Sequence, residues 1–456
     1  MPGKSETFAS AGGTRFRLFA QPSFLRNFRE PETVVVSSPA GSVGAGPSDE
    51  RMYVIDPIGM RVPYGLAEDW FGNAAYLLPP WPGAVHPPAW PDPDGHFDHI
   101  APDEPEFEAA HLFGSVRFTL DVWEKYFGHP IEWHFSDDFD RLELVIQGNL
   151  LENAFMGYGF LEVGVHLADD GVMPFSLNFD VIAHEVGHCL VYSMVGVPDP
   201  RFVNAEYYGF HESAADLTAL IAALHFETVI DELLDATGGN LYARSVLTRI
   251  AELTDNRQIR LAANPLTLAD FAQGWRDEHD LAQPLTGAMF DILVDVYHEE
   301  LVFRGLISAE SEDLSDRFEG DPDYHLVMQP IFDAAFEASP GEIREALLFA
   351  RDMVGTLLAE TWRRLSPEGL GYDDVGRVLL AVDRGLTGGR YQRIIRVNLD
   401  RRAIGRAHVG PRLTGRSANS HVDLPRVFMP ERHERCCGSR RLAYREKFEA
   451  QLFDQF

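Results

Sequence analysis

Two histidines and a glutamate stand close together in residues 181–190, VIAHEVGHCL. His184 and His188 are four positions apart, so on a helix they lie on one face and can bind a single metal ion. Glu185 lies beside them and could act as a base towards water at that ion. Zinc suits neutral imidazole ligands, and a catalytic zinc keeps one coordination position for water. A pair of buried core histidines is the alternative interpretation of the same spacing.

A second apolar segment, residues 210–224, carries two acids that are also four positions apart. They are Glu212 and Asp216 in FHESAADLTALIAAL. A zinc ion bound by two histidines needs a third protein ligand, and a carboxylate from another helix is a common one. Glu212 is predicted to be that ligand. Asp216 is predicted to accept the other ring N–H of His184, which would fix the tautomer of that histidine. An exposed acidic face is the alternative.

These motifs together resemble those of the thermolysin-type gluzincin metallopeptidases, including the fungalysin type. Residues 144–155, LVIQGNLLENAF, resemble the family's edge strand; residues 106–127 and 372–404 resemble its N-lobe helix and its closing helices. The resemblance implies a two-lobed α+β fold, with a β-rich N-lobe that carries the zinc helix and a mainly α-helical C-lobe. It also implies zinc-dependent hydrolysis of a peptide or protein substrate in the cleft between the lobes.

Further site residues follow from this resemblance. Asn153 and Ala154 would bind the backbone of an extended substrate at the strand edge. Glu185 would accept a proton from the attacking water and deliver it to the leaving amine.

The charge that develops on the substrate carbonyl needs another donor from the protein. The resemblance suggests His279, which precedes a predicted helix start at Thr286, and Tyr208. For His279, a surface histidine in a charged loop is the alternative.

Composition limits the classes of partner. The 456 residues carry a formal net charge of −31, which disfavours nucleic acid and anionic membrane surfaces as partners. The charge is uneven, because residues 406–456 hold ten basic and six acidic residues. We expect an N-terminal region with Pro/Gly-rich loops (1–104), a β-rich lobe with the zinc-binding helices (105–230), an α-helical lobe (231–405) and a basic C-terminal tail (406–456).

Cysteine usage indicates no disulfide framework. Cys189 follows the second ligand histidine and is predicted to be a core residue. Cys436 and Cys437, with His421 and His433 nearby, could form a second metal site, but their spacing fits no usual pattern.

Four aspartates in an acidic stretch could hold calcium, which the resembled family often uses; a solvated acidic loop is the alternative. They are Asp92, Asp94, Asp98 and Asp103. No apolar stretch is long enough for a secretory signal or a membrane span, so we expect a cytoplasmic protein, with export by another route left open.

Periodicity predicts the elements that must position these residues. Helices are predicted at 106–127, 241–254, 286–304, 329–337, 341–365 and 372–384, in addition to the two that carry the metal ligands. Strands are predicted at 15–20, 34–36, 51–62, 131–135, 142–147 and 160–169, and an extended Pro-rich loop at 77–95.

Two other functions remain open beside a zinc peptidase of general specificity. The chain could be a gluzincin-like scaffold that binds a partner without turnover, although a scaffold has no need for Glu185. It could also be a narrow enzyme that processes one intracellular peptide.

Overall fold

The computed structural model describes residues 12–60, 62–68, 74–146, 151, 153–168, 171–199, 201–241, 249–254, 257–272, 274–275, 278–311 and 324–405. These residues form a mixed α+β architecture. The tail 406–456, with both of its cysteines and the two nearby histidines, lies outside the described residues, as do residues 242–248 of the predicted 241–254 helix. None of the described helices is both long and apolar enough to cross a membrane.

Nine α-helices are described. They are α1 (Phe107–Phe127), α2 (Phe179–Met194), α3 (Ala205–Ala223), α4 (Glu227–Thr237), α5 (Glu278–Phe303), α6 (Tyr324–Ala338), α7 (Pro340–Trp362), α8 (Tyr372–Thr387) and α9 (Gln392–Arg401).

Twelve short strands accompany these helices in the described part of the chain. They are β1 (Gly13–Leu18), β2 (Glu32–Pro39), β3 (Met52–Ile55), β4 (Gly65–Glu68), β5 (Ala74–Leu77), β6 (Leu142–Ile146), β7 (Ala154–Met156), β8 (Phe160–Val163), β9 (Val165–Ala168), β10 (Gly171–Pro174), β11 (Arg249–Thr254) and β12 (Arg257–Leu261).

The largest sheet has four strands in the order β3-β6-β8-β7. The pairs β3/β6 and β6/β8 are parallel, and β7 runs antiparallel to β8. Successive side chains point to opposite faces. Leu144 and Leu161 therefore join the main core, whereas Val145 and Phe160 join a smaller cluster on the other face. Within this sheet β7 is an edge strand.

Helix α1 lies at the centre of the main core. It ends where the sequence predicts, because Gly128 adopts φ +76°, which favours glycine. Trp123 is fully buried and stacks on Trp362 of α7 at 4.6 Å between ring centroids. On the same helix, His111 accepts a hydrogen bond from the Phe19 N–H at 3.0 Å and donates through Nδ1 to the Ser176 carbonyl at 2.8 Å. Both ring nitrogens of His111 are thereby satisfied.

Three predictions for elements are wrong. Residues 131–135 form no strand; their apolar residues anchor a loop, with Trp133 stacked on Phe135 at 5.5 Å. Residues 249–254 form β11, paired with β12, rather than a helix. The alternation in RIAELT and RQIRL on either side of Asp255-Asn256 is a hairpin signal, which the helix prediction overlooked.

The third error concerns α5, which begins at Glu278 and not at Thr286. Thr286 suggested a helix start, but the helix begins two turns earlier and continues through Pro284. Thr286 is therefore not an N-cap: its buried hydroxyl donates to Ser213 Oγ at 2.9 Å and links α5 to α3.

Candidate metal centre

Helix α2 holds His184, Glu185 and His188, and all three side chains are almost completely buried. The helix is capped by Asn178, whose side chain accepts a hydrogen bond from the Val181 N–H at 3.2 Å. The spacing of one turn brings the two imidazole ring centroids to 4.6 Å. Two imidazoles therefore lie close enough to share one ion.

Helix α3 brings a carboxylate to the two imidazoles. The distance from Glu212 Oε2 to His184 Nε2 is 3.4 Å, and from Glu212 Oε1 to His188 Nε2 it is 3.7 Å. One ligand atom from each of the three residues lies within 4.8 Å of the others. Two imidazole nitrogens and a carboxylate oxygen form a donor set that zinc accepts. This buried group can bind a metal ion, and the described residues contain no other group of three or more such side chains.

The close approach of α2 and α3 depends on a glycine inside the motif. A Cβ atom at Gly187 would lie 2.6 Å from the Cα of Ala215 and 3.0 Å from the Cβ of Thr218. Real Cβ atoms do not approach backbone atoms so closely, so any larger residue would push the helices apart. Gly187 therefore sets the distance between the histidines on α2 and Glu212 on α3.

Asp216 lies one turn beyond Glu212 and faces His184. Its Oδ1 is 3.0 Å from His184 Nδ1, while Nε2 of the same ring faces Glu212. A carboxylate in this place accepts the Nδ1–H and leaves the Nε2 lone pair directed towards an ion.

His188 has a partner that sequence reasoning missed. Its Nδ1 lies 2.8 Å from Nδ1 of His211, and the two rings are nearly parallel. His211 precedes Glu212 on α3 and is 1 % exposed. Adjacent residues on a helix point about 100° apart, so periodicity gave no reason to place both at one site.

Burial and mutual charge give these groups the ionisation states that a metal needs. Burial lowers the pKa of His188 well below its usual value and lowers the pKa of His211 to about 4. Burial alone would raise the pKa of Glu212, but His279, His188 and His184 together hold it well below its usual range. Metal ligands must be neutral imidazoles and ionised carboxylates, and the directions of the pKa shifts of His188 and Glu212 match that requirement.

Glu185 is connected to the edge strand β7. Its Oε2 accepts a hydrogen bond from the backbone N–H of Met156 at 2.9 Å. This bond ties the carboxylate, which follows the candidate ligand His184 in the chain, to an edge strand of the sheet.

Alternate residues of β7 direct their backbone N–H and C=O groups away from β8. The Gly164 N–H donates to the Asn153 carbonyl, and the Gly157 N–H donates to the Phe160 carbonyl. By the alternation of an antiparallel pair, Ala154 and Met156 direct their N–H and C=O groups to the opposite side. The exposed Asn153 and the buried Ala154 therefore lie at the edge of the described sheet, three and two residues before the Met156 that donates to Glu185.

His279 lies in the first turn of α5, and its Nε2 is 3.1 Å from Glu212 Oε2. Its side chain is 46 % exposed, whereas the three candidate ligands are buried. The structure thus brings this histidine to the rim of the site. The prediction that it lies in a loop before the helix is wrong.

Tyr208 is half-buried on α3 and precedes Glu212 by one turn, so both lie on the same face of the helix. Its ring is 5.8 Å from that of Tyr207, whose hydroxyl donates to the Gly196 carbonyl at 3.3 Å. Tyr207 is buried, whereas Tyr208 is partly exposed.

Neither the acidic loop nor Cys189 adds a metal site among the described residues. Asp98 Oδ2 accepts from Arg15 Nε at 2.7 Å, and Asp92 Oδ1 accepts from the N–H groups of Asp94 and His96. These carboxylates, like that of Asp103, belong to no metal-binding group. Cys189 is fully buried, as predicted, and burial raises the pKa of its thiol to about 12.

Comparison with known proteins yields little beyond this geometry. No family model matches the chain, and no curated protein is similar to it in sequence. Among solved structures, the chain is similar to the precursor of protealysin, a metalloproteinase from Serratia proteamaculans. The sequence identity is 10 %, the TM-score is 0.41, and the match covers 81 % of this chain and 89 % of that one. So distant a likeness carries no argument about chemistry, which must rest on the residues themselves.

Proposed function

We propose that the protein is a zinc-dependent peptidase with His184, His188 and Glu212 as its metal ligands. The donor set and its burial support this assignment. The proposal includes the gluzincin organisation expected from the sequence, with a β-rich lobe over residues 105–230 and an α-helical lobe over 231–405. In this organisation, the metal site would lie where the two lobes meet.

The observation that carries the proposal is the hydrogen bond between Glu185 and the Met156 N–H. It joins a base next to the candidate ligand His184 to β7, which is an edge strand of the described sheet. An extended peptide that pairs with Ala154 through its backbone would bring a peptide bond next to Glu185. A scaffold for partner binding has no use for a carboxylate in this position.

A bound zinc ion would polarise the substrate carbonyl and lower the pKa of water towards neutrality. Glu185 accepts the proton of the attacking water and transfers it to the leaving nitrogen. Asp216 holds the ring of His184 in one tautomer. His279 and Tyr208 are the candidate donors to the substrate oxygen, and the 3.1 Å contact between His279 and Glu212 favours His279.

The experiment that tests the proposal compares two zinc-loaded proteins, wild type and Glu185→Gln, on a peptide library analysed by mass spectrometry. Glutamine keeps an acceptor for the Met156 N–H but cannot act as the base. We expect cleavage only by the wild type. Equal cleavage by both proteins would contradict the role of Glu185.

A second readout separates general from narrow specificity. Rapid cleavage of casein at many bonds would favour a general peptidase. Cleavage confined to a few library members would favour an enzyme that processes one peptide. This is the second candidate function, and the burial of the three candidate ligands supports it.

A further inference from the structure

The Nδ1 atoms of the two candidate ligand histidines contact different partners. His184 Nδ1 faces the carboxylate of Asp216, whereas His188 Nδ1 faces another imidazole, that of His211, at 2.8 Å. A hydrogen bond between two ring nitrogens requires that one carries the proton and the other accepts it. The direction of this bond decides whether His188 can bind a metal.

The position of Glu212 sets that direction. His188 Nε2 is the nitrogen that faces the carboxylate, at 3.7 Å from Glu212 Oε1, so Nε2 must supply the lone pair to an ion. A neutral imidazole that uses Nε2 as its metal ligand carries its proton on Nδ1. His188 therefore donates, and His211 accepts through Nδ1 and carries its own proton on Nε2.

The surroundings of His211 indicate that its role is to accept this hydrogen bond. His211 Nε2 is buried and has no hydrogen-bond partner among the described residues. The ring is held between Tyr192, at 4.4 Å between centroids, and His188, at 4.7 Å. An apolar residue of similar size would fill this space without the unpaired Nε2 of His211. The feature that such a residue would lose is the acceptor for His188.

We propose that His211 is a positioning residue: it accepts the Nδ1–H of His188, fixes the tautomer of that ring and directs its Nε2 towards the metal. This inference rests on the proposed metal centre. It adds a residue that acts through His188 and that need not touch the substrate.

The test compares two substitutions at one position. In His211→Asn, Oδ1 is bonded to Cγ as Nδ1 is in histidine, so the acceptor for His188 is retained. In His211→Leu, a side chain of comparable bulk offers no acceptor. Zinc affinity is measured for the full chain by competition with a chelator, and the thermal midpoint of the metal-free proteins serves as the control for folding.

We expect the leucine variant to bind zinc about 10- to 100-fold more weakly than the wild type, as is typical when the partner of a ligand is removed. The asparagine variant should stay much closer to the wild type. Equal affinity of wild type and leucine variant would overturn the proposal, and so would equal losses in both variants. If the wild type itself bound no zinc, the proposed function would fail first, which is a distinguishable result.

A second measurement covers the case in which the leucine variant does not fold. Long-range ¹H–¹⁵N correlation spectra of the zinc-loaded wild type, labelled at histidine, report which ring nitrogens carry protons. Protonated Nδ1 in His188 and protonated Nε2 in His211 are expected. A protonated Nδ1 in His211 would refute the assignment.

Discussion

Glu185 has two kinds of neighbour, the ligand histidines on α2 and the Met156 N–H on β7. Neither contact depends on a negative charge, so Glu185→Gln should retain metal and fold. We expect its turnover to fall by about 100- to 10,000-fold, since this is the range for removal of a general acid–base group. The measurement is kcat/KM on a cleaved library peptide, together with zinc content. A variant that loses both zinc and activity would point to a structural role for Glu185.

His279 and Tyr208 can be separated by matched substitutions. His279→Ala should reduce kcat by about 100- to 1000-fold if His279 donates to the developing oxyanion, whereas Tyr208→Phe should have a small effect. The half-exposed position of His279 predicts that zinc content is unchanged. The reverse order of the two effects would assign the donor role to Tyr208.

His111, which is not part of the candidate metal group, should make the free energy of unfolding depend on pH. Burial lowers its pKa to about 4, from an ordinary value of 6.5. Between these values the unfolded chain binds a proton that the folded chain does not. The neutral His111 ring therefore contributes fully to the free energy of unfolding above about pH 6.5. This contribution, up to about 3 kcal/mol, is lost as the pH falls towards 4.

The measurement is denaturant unfolding of wild type and His111→Asn at several pH values. The variant should be less stable at pH 7, because it cannot serve both the Phe19 N–H and the Ser176 carbonyl. Its stability should change less between pH 6.5 and pH 4.5. An identical pH slope in the two proteins would contradict this account, and the exposed His129→Asn serves as the control.

The residues of the metal group were predictable, because the i, i+4 spacing on two apolar helices carries the information. The contact between His188 and His211 could not be predicted. His211 is adjacent to Glu212 in sequence, and only the angle at which α3 crosses α2 turns both residues towards one site.

At the scale of elements, Gly187 sets how closely α2 and α3 pack. Gly187→Ala would place a methyl group 2.6 Å from the Ala215 Cα, so the helices must separate. We expect a loss of about 1–3 kcal/mol in the free energy of unfolding, as for other overpacked sites, and weaker zinc binding.

Gly385→Ala is the matched control for this substitution. Gly385 is exposed on α8, and a Cβ atom at this position would have no heavy atom of the described residues within 4 Å. There alanine should be neutral or stabilising by at most about 0.5–1 kcal/mol, the range for glycine in the middle of a helix, because Gly385 lies in the last turn. Similar effects at both positions would show that helix propensity, and not packing, is responsible.

Elements with a clear period and a clear end were predicted well from sequence. α1 has both, since its apolar period ends at Gly128-His129-Pro130. The start of α5 was missed because Thr286 was interpreted as the start of the helix, and β11 was missed because its alternation is short. For α5, one contact of the observed helix comes from a distant part of the chain, the bond from Thr286 on α5 to Ser213 on α3.

At the scale of the whole molecule, a buried metal group couples ion binding to folding. The ligands come from α2 and α3, which also form part of the main core, so zinc should bind the folded chain in preference to the unfolded one. At free zinc 1,000-fold above Kd the gain is about 4 kcal/mol. Calorimetry with and without chelator should show a higher unfolding temperature for the zinc-loaded wild type. His188→Ala should show little difference.

The most direct test of the account is the zinc content and affinity of the purified full chain, measured by mass spectrometry and chelator competition. We expect about one zinc per chain in the wild type and in the surface control His129→Ala, and little in His188→Ala. No zinc in the wild type after reconstitution, or equal zinc in His188→Ala, would contradict it.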